Sequence, residues 1–218
     1  MSALETTFVA PRRGVAKLPR AVLLAHGAGS DMHAPALVAV SDALRDAGIA
    51  SLRFHFPYRG AGRRAPDRMP VLMEALCTAH ALLVRRTSCD PAQVVVGGRS
   101  MGGRVASCCV ADPDDPLAAL GLVLLAYPLH PPGKPEQLRV EHLSRITVPV
   151  LSISGTRDAF ASKTELTRAL RRVRGPVTRH WLETADHGYK PLRSSGATLE
   201  TVLADVAQAV TAWVCALT

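Results

Sequence analysis

The sequence alternates short apolar runs with longer segments of helical periodicity. Apolar runs of this length are typical of buried parallel strands, and the helical segments between them can serve as crossover connections. The predicted strands cover residues 21–26, 50–54, 93–97, 121–126, 148–154 and 178–182, and the predicted helices cover 35–47, 70–86, 101–110, 162–174 and 198–215. This order predicts an α/β fold, in which a mostly parallel central sheet is covered by helices on both faces.

Length and composition indicate a single hydrophobic core. With 218 residues, of which 48% are hydrophobic, the chain can bury one substantial core and has little left for a second. We therefore expect one domain over residues 1–218, with residues 1–20 forming an N-terminal strand or an extension.

No segment predicts secretion, membrane insertion or metal binding. Residues 1–9 lack the basic start and apolar stretch of a secretory signal, and no uninterrupted apolar segment approaches the roughly 20 residues that span a bilayer. The five cysteines are an odd set without CxxC spacing, which supports neither a disulfide framework nor a zinc site. We expect a cytoplasmic protein without a membrane partner.

The net charge of +8 raises the possibility of nucleic-acid binding. Arginine pairs are scattered over different predicted elements, however, and no aromatic residues are interleaved with them to stack on bases. The distribution favours a solvated basic surface and no nucleic-acid partner.

The strongest local motif is the GRSMG pentapeptide at residues 98–102, which lies between a predicted strand and a predicted helix. A GxSxG motif in this context forms a nucleophile elbow, a sharp turn whose flanking glycines allow neighbouring backbone to approach closely. Ser100 is therefore the predicted nucleophile.

A serine hydroxyl needs a general base and a carboxylate that orients that base. In an elbow-containing α/β sheet the order is Ser, acid, His, with each partner in a loop after a later strand. Asp158 and His187 occupy these two positions, and they are the predicted acid and base. Asp186 adjoins His187, but successive side chains point apart, so it is predicted to cap the turn.

The developing oxyanion of acyl transfer requires backbone N–H donors. The predicted donors are the amides of Met101, which follows the nucleophile, and Ala28, in the glycine-rich turn after the first predicted strand. The same turn does not fit a nucleotide loop, because Met32 occupies the third glycine position of GxGxxG and no GK[ST] follows.

With these motifs in place, the chain resembles the α/β-hydrolases. More narrowly, it resembles a compact group that includes testis-expressed protein thirty and the hydrolase-like third subunit of the non-specific-lethal complex. The resemblance rests on HGAG at 26–29, RFHFPY at 53–58, GRSMGGR at 98–104, YPLHPPGKP at 127–135, GTRDAF at 155–160 and DH at 186–187. It implies a minimal α/β-hydrolase fold without a lid domain, and a triad carried over as Ser100, Asp158 and His187. It does not imply a substrate.

Several residues near the predicted site are candidates for substrate contact. They are His26, Gly27, Tyr58, Arg59, Tyr127, His130 and Phe160. The proline-rich segment 127–141 must be a loop, either a pocket wall or a plain connector. The 59–68 segment, with Arg63 and Arg64, either attracts a carboxylate-bearing substrate or is an exposed basic loop.

The sequence thus predicts a serine hydrolase of the esterase type, acting on a small-molecule carboxylic ester or thioester through an acyl-enzyme. Such chemistry needs no metal and no organic cofactor. The alternative is a catalytically silent binding or scaffold protein that keeps the fold. Acyl chain length, the choice between ester, thioester and amide, and oligomeric state are left open.

Overall fold

The computed structural model describes residues 4–218. Its strands are β1 (Thr6–Val9), β2 (Ala21–Ala25), β3 (Ala50–Phe54), β4 (Val94–Arg99), β5 (Gly121–Leu125), β6 (Val150–Gly155) and β7 (Val177–Leu182). Its helices are α1 (Pro35–Asp46), α2 (Pro57–Gly60), α3 (Met69–Thr87), α4 (Met101–Val110), α5 (Lys163–Leu170) and α6 (Leu199–Ala216). Short 3₁₀ turns lie at Pro91–Gln93, Glu141–Arg145 and Arg193–Ser195.

The strands form one seven-stranded sheet in the order β1-β3-β2-β4-β5-β6-β7. All neighbouring strands from β3 to β7 are parallel, and β1 pairs antiparallel with β3, with Thr6 opposite Phe54. The predicted α/β-hydrolase architecture, a mostly parallel sheet between helices, is confirmed. The N-terminal segment supplies the edge strand, which was one of its two predicted forms.

The uninterrupted apolar character of the central strands β2 and β5 follows from burial on both faces. Along β2, Leu23 packs into the cluster that contains α3, α4 and α5, whereas Val22 and Leu24 pack into the cluster that contains α1 and α6. Side chains alternate between the two faces of a strand, so a sheet covered on both sides needs apolar residues at every position. All five β2 residues are fully buried.

Helix α5 shows local capping chemistry at its start and a tertiary effect at its end. α5 begins at a capping box, in which Ser162 accepts the backbone N–H of Glu165 and Glu165 accepts that of Ser162. The helix ends at Leu170, whereas the sequence predicted it to continue to residue 174. The reason is tertiary: the amides of Arg174 and Gly175 donate to the carbonyl of Ile146, which directs the chain into β7.

Within the described residues, α6 is the one helix that is long and apolar enough to cross a membrane by length and composition. One face of α6 is occupied here by the fold itself. Val206, Val210 and Val214 are fully buried in the cluster shared with α1 and the sheet.

Two residues on α3 give a matched test of this packing. Leu76 is fully buried and Val71 is 41% exposed. We expect Leu76→Ala to lower the free energy of unfolding by about 2–5 kcal/mol, because it removes apolar contacts and leaves a cavity. Val71→Ala, measured by the same urea denaturation, should change it by less than about 0.5 kcal/mol. Equal effects at the two positions would contradict the assigned helix face.

Candidate active site

Ser100 lies in a strained turn between β4 and α4. Its backbone has φ 52° and ψ −115°, a conformation that residues other than glycine rarely adopt. The glycines on either side allow the turn to fit, because a Cβ at Gly98 or at Gly102 would overlap the carbonyl oxygen of Ala25 in β2. This close packing fixes the serine side chain at the carboxyl edge of the sheet.

Asp158, His187 and Ser100 form a continuous chain of hydrogen bonds. The Nε2 atom of His187 lies 3.0 Å from Oγ of Ser100, and its Nδ1 atom lies 2.8 Å and 3.0 Å from the two carboxylate oxygens of Asp158. Since a carboxylate can only accept, Nδ1–H is the donor to Asp158 and Nε2 is left to accept the serine proton. The arrangement is that of a base held in one tautomer against an alcohol.

The three side chains differ in their exposure to water. The Asp158 side chain is fully buried and also accepts the backbone N–H of Phe160 at 2.8 Å, whereas the His187 side chain is 22% exposed. A buried carboxylate must be bonded to be tolerated, and it loses orientational freedom as a result. The acid is therefore fixed, and the imidazole remains accessible from the cavity.

Asp186 has the role predicted for it. Its Oδ1 atom accepts the backbone N–H groups of Gly188 at 2.7 Å and of Lys190 at 2.9 Å. The carboxylate therefore holds the turn that carries His187.

Ala28 and Met101, the predicted oxyanion donors, both line a cavity with Ser100 and His187. The Gly27–Ala28 peptide is oriented by His26. Because Phe56 N–H donates to Nε2 of His26 at 3.1 Å, Nδ1 carries the proton and donates to the Gly27 carbonyl at 2.9 Å. In a planar trans peptide the N–H points opposite to the C=O, so the amide of Ala28 is directed away from His26.

The cavity has a volume of about 480 Å³. Two of the predicted substrate contacts, His130 and Phe160, line it, and the Phe160 ring centroid lies 4.4 Å from that of His187. Pro128 and Pro132 also line it, so the proline-rich loop is a pocket wall as well as a connector. The loop is held by the Tyr127 hydroxyl, which donates to the carbonyl of Arg139 at 3.0 Å.

The other predicted contact residues lie outside the cavity lining. His26, Tyr58 and Tyr127 are buried in the protein interior, because their rings pack against or bond to the loops that shape the site. Gly27 packs against the side chain of Ser100 and the backbone of the elbow, and its own atoms do not line the cavity. The prediction that these four residues contact the substrate directly is therefore corrected: they support the site from behind its lining.

The predicted basic contacts are also placed elsewhere. Arg59 lies 3.5 Å from Asp31 in an ion pair, and Arg63 donates to Asp67 at 2.7 Å. Neither they nor Arg64 line the cavity. Two arginines that sequence reasoning did not select, Arg104 and Arg139, line it instead.

Arg99 is a further residue that the sequence analysis missed. It occupies the variable position of the elbow motif, and its guanidinium donates to the backbone carbonyl of His187 at 2.8 Å while lying 5.8 Å from the centroid of Tyr189. Arg99 therefore ties the loop that carries the base to the strand that carries the nucleophile. No local signal marks it, because the motif accepts any residue at this position.

Among the described residues, no group of three or more His, Cys, Asp or Glu side chains could hold a metal ion.

Under the esterase function that the sequence predicts, we expect Arg99→Met to lower the rate of hydrolysis of a p-nitrophenyl ester about 10–100-fold, mainly in kcat, because displacement of the predicted base costs rate without removing substrate contacts. Arg99→Lys should restore part of the rate. Arg145→Met is the matched control, since Arg145 also donates to a backbone carbonyl, that of Ala111 at 2.7 Å, in another part of the fold. If the melting temperature of Arg99→Met fell so far that unfolding explained the lower rate, the positioning role would be contradicted.

We expect the free energy of unfolding to fall in acid because two histidines, His26 and His142, are buried. Burial lowers the pKa of each from 6.5 to about 4, so the folded protein keeps them neutral while the unfolded chain takes up protons below pH 6.5. Their contribution to stability is complete above pH 6.5 and is lost as the pH falls toward 4, by up to about 1.4 kcal/mol per pH unit for each. Urea unfolding between pH 7 and pH 4.5 should show this slope, and His26→Asn should reduce it. A wild-type free energy of unfolding that is constant over this range would refute the assignment.

Comparison with solved structures finds the same architecture at low sequence identity. The chain is similar to an alpha-beta serine hydrolase homologue from Coxiella burnetii, at 17% identity over 96% of this chain and 90% of that chain, with a TM-score of 0.73. It is similar to a serine hydrolase without a lid from Xanthomonas campestris, at 19% identity over 96% and 89% of the two chains, with a TM-score of 0.71. It is also similar to Est1E from Butyrivibrio proteoclasticus, solved with ferulic acid bound, at 16% identity over 95% and 94%, with a TM-score of 0.74.

These similarities establish the fold, and the match to a family model establishes the family. The model described as "Alpha/beta hydrolase domain" matches residues 19–215, a span that includes every strand from β2 to β7 and the elbow at Ser100. The chain therefore belongs to the α/β-hydrolase family.

Proposed function

We propose that this protein is a serine hydrolase of the esterase type, which cleaves a carboxylic ester or thioester through an acyl-enzyme. The observation that carries the proposal is the hydrogen-bonded chain from buried Asp158 through His187 to Ser100, whose hydroxyl and base both line an open cavity. A reaction of this kind needs all three groups in that order.

In the acylation step, Oγ of Ser100 attacks the carbonyl carbon of the substrate while Nε2 of His187 takes its proton. The carbonyl oxygen becomes an oxyanion, which the amides of Ala28 and Met101 stabilise. His187 then gives the proton to the departing alcohol or thiol, and the acyl group remains on Ser100. Asp158 stays ionised and supports the imidazolium throughout.

Deacylation uses the same groups in reverse order. A water molecule entering the cavity loses a proton to Nε2 of His187 and attacks the acyl carbon. When the second tetrahedral intermediate collapses, His187 returns a proton to Oγ of Ser100 and the carboxylic acid leaves. Each step is balanced by proton transfers through one imidazole.

The alternative is a scaffold protein that keeps the fold without turnover. A fully buried carboxylate is expensive to desolvate, and its bonds here are directed at the base of a hydroxyl that faces the cavity. A binding surface does not require that arrangement, so the site favours an enzyme.

Active-site labelling separates the two functions. A fluorophosphonate probe should label the wild type, and Ser100→Ala should abolish labelling and lower kcat for a p-nitrophenyl ester by about 10⁴-fold or more, with little change in melting temperature. Ser194→Ala, at an exposed serine, is the control and should label like the wild type. Absence of labelling in folded wild-type protein would support the scaffold and overturn the esterase. A series of p-nitrophenyl esters of increasing length would then define the acyl preference.

The proposal includes three further expectations from the sequence. The protein acts as one domain, it works in the cytoplasm, and it falls within the compact group that resembles testis-expressed protein thirty. These rest on composition and on the motifs at 53–58 and 127–135. Fractionation of cells that express the tagged protein would test the compartment.

A further inference from the structure

Two arginines face the same cavity as the nucleophile. Arg104 lies on α4, where its backbone N–H donates to the carbonyl of Ser100 at 3.1 Å, and Arg139 comes from the proline-rich loop after β5. Both line the cavity together with Ser100 and His187. Separate elements of the fold therefore bring two cationic residues to the cavity that holds Ser100.

Neither guanidinium is satisfied by the protein. In the part of the chain that the structure describes, Arg104 and Arg139 make no ion pair and donate no side-chain hydrogen bond, and Nε of Arg104 is buried without a partner. Other arginines near the site are bonded: Arg59 to Asp31, and Arg99 to the carbonyl of His187. Both arginines are half-buried, and a guanidinium donates strong hydrogen bonds to anionic oxygens, so these two sets of donors are available to an anionic group that enters the cavity.

The two cations also act on each other. Burial lowers the pKa of the Arg139 guanidinium, and the charge of Arg104 lowers it further, so the charged form is held there at a cost. Among the described residues that line the cavity, Asp67 is the one acidic residue. Its Oδ1 atom already accepts a hydrogen bond from the guanidinium of Arg63 at 2.7 Å. Since Asp67 is paired with Arg63, the charges of Arg104 and Arg139 have no acidic partner of their own in the lining.

We propose that Arg104 and Arg139 form a subsite for a free carboxylate on the substrate, so that the enzyme acts on esters or thioesters that carry an acidic group. The inference rests on the proposed function, whose substrate class it defines. A guanidinium presents parallel N–H donors that match the two oxygens of a carboxylate, and bonds between charged partners are the strong ones.

Half-esters of adipic acid are suitable probes, because four methylene groups separate their acidic group from the reacting carbonyl. The acidic group belongs in the acyl part or in the alcohol part of the ester, and both forms can be made as probes.

The test compares matched acidic and neutral substrates. The acyl pair is mono-p-nitrophenyl adipate against p-nitrophenyl hexanoate, and the alcohol pair is 4-carboxyphenyl butyrate against phenyl butyrate. We expect wild-type kcat/KM to favour the acidic member of at least one pair by about tenfold or more, the size expected for a charged hydrogen bond. Arg104→Gln and Arg139→Gln should each lower that ratio about tenfold, and Arg139→Lys should keep part of it.

A control separates this effect from net charge. Arg64 is exposed and lies outside the cavity, so Arg64→Gln removes one positive charge without touching the site and should leave the ratio unchanged. Because Arg139 is unpaired and near a like charge, Arg139→Gln should not lower the melting temperature. A loss of the ratio in Arg64→Gln as well would overturn the subsite, since the preference would then reflect overall charge.

Failure of the subsite and failure of the proposed function give different results. Hydrolysis with equal kcat/KM for both members of each pair overturns the subsite alone. If no ester is cleaved and no fluorophosphonate labels Ser100, the proposed function fails, and the subsite is then tested by calorimetry with monoethyl adipate. Binding that is lost in Arg104→Gln and Arg139→Gln supports the subsite, and no binding to the wild type overturns it.

Discussion

The parallel direction of the sheet is the constraint on which the rest of this structure depends. Strands β4, β6 and β7 run the same way, so the loops that follow them meet at one edge, where Ser100, Asp158 and His187 come into contact. Parallel strands must be covered on both faces, because the crossover helices lie there. Burial of apolar residues on both sides of the sheet therefore also fixes where the reactive groups converge.

Contacts around the site hold conformations that the local sequence would not keep by itself. Ser100 has a positive φ, and it is retained because α4 packs directly against the carbonyl of Ala25. His26 and Arg99 then join separate segments: one orients the peptide before Ala28, and the other binds the carbonyl of His187. Strain of this kind persists only where neighbouring structure over-determines it. The supporting residues are thus as necessary to the geometry as the groups that react.

The cavity combines this rigid edge with less regular walls. The proline-rich loop cannot form a helix or an interior strand, and it returns across the site through bonds such as that between Tyr127 and the carbonyl of Arg139. The Leu129 amide of the loop donates to the carbonyl of Phe160, and the Arg139 amide donates to the carbonyl of Leu129, which completes the wall. Because the loop is fixed by backbone contacts, its side chains are free to define what enters. The proposed chemistry resides at the strand ends, and the proposed carboxylate subsite combines a residue of this loop, Arg139, with Arg104 of α4.

The sequence by itself determined the layer order, the elbow at Ser100 and the positions of Asp158 and His187, because periodicity, turn sterics and chain order are properties of short segments. It did not determine that residues 6–9 would add an antiparallel edge strand, that α5 would stop at Leu170, or that Tyr58 and Tyr127 would be buried behind the site. Nor could it separate Arg104 and Arg139, which face the cavity, from Arg63 and Arg64, which do not. The direction of a long side chain is set by what packs around it, and those neighbours come from distant parts of the chain, so only the tertiary structure decided it.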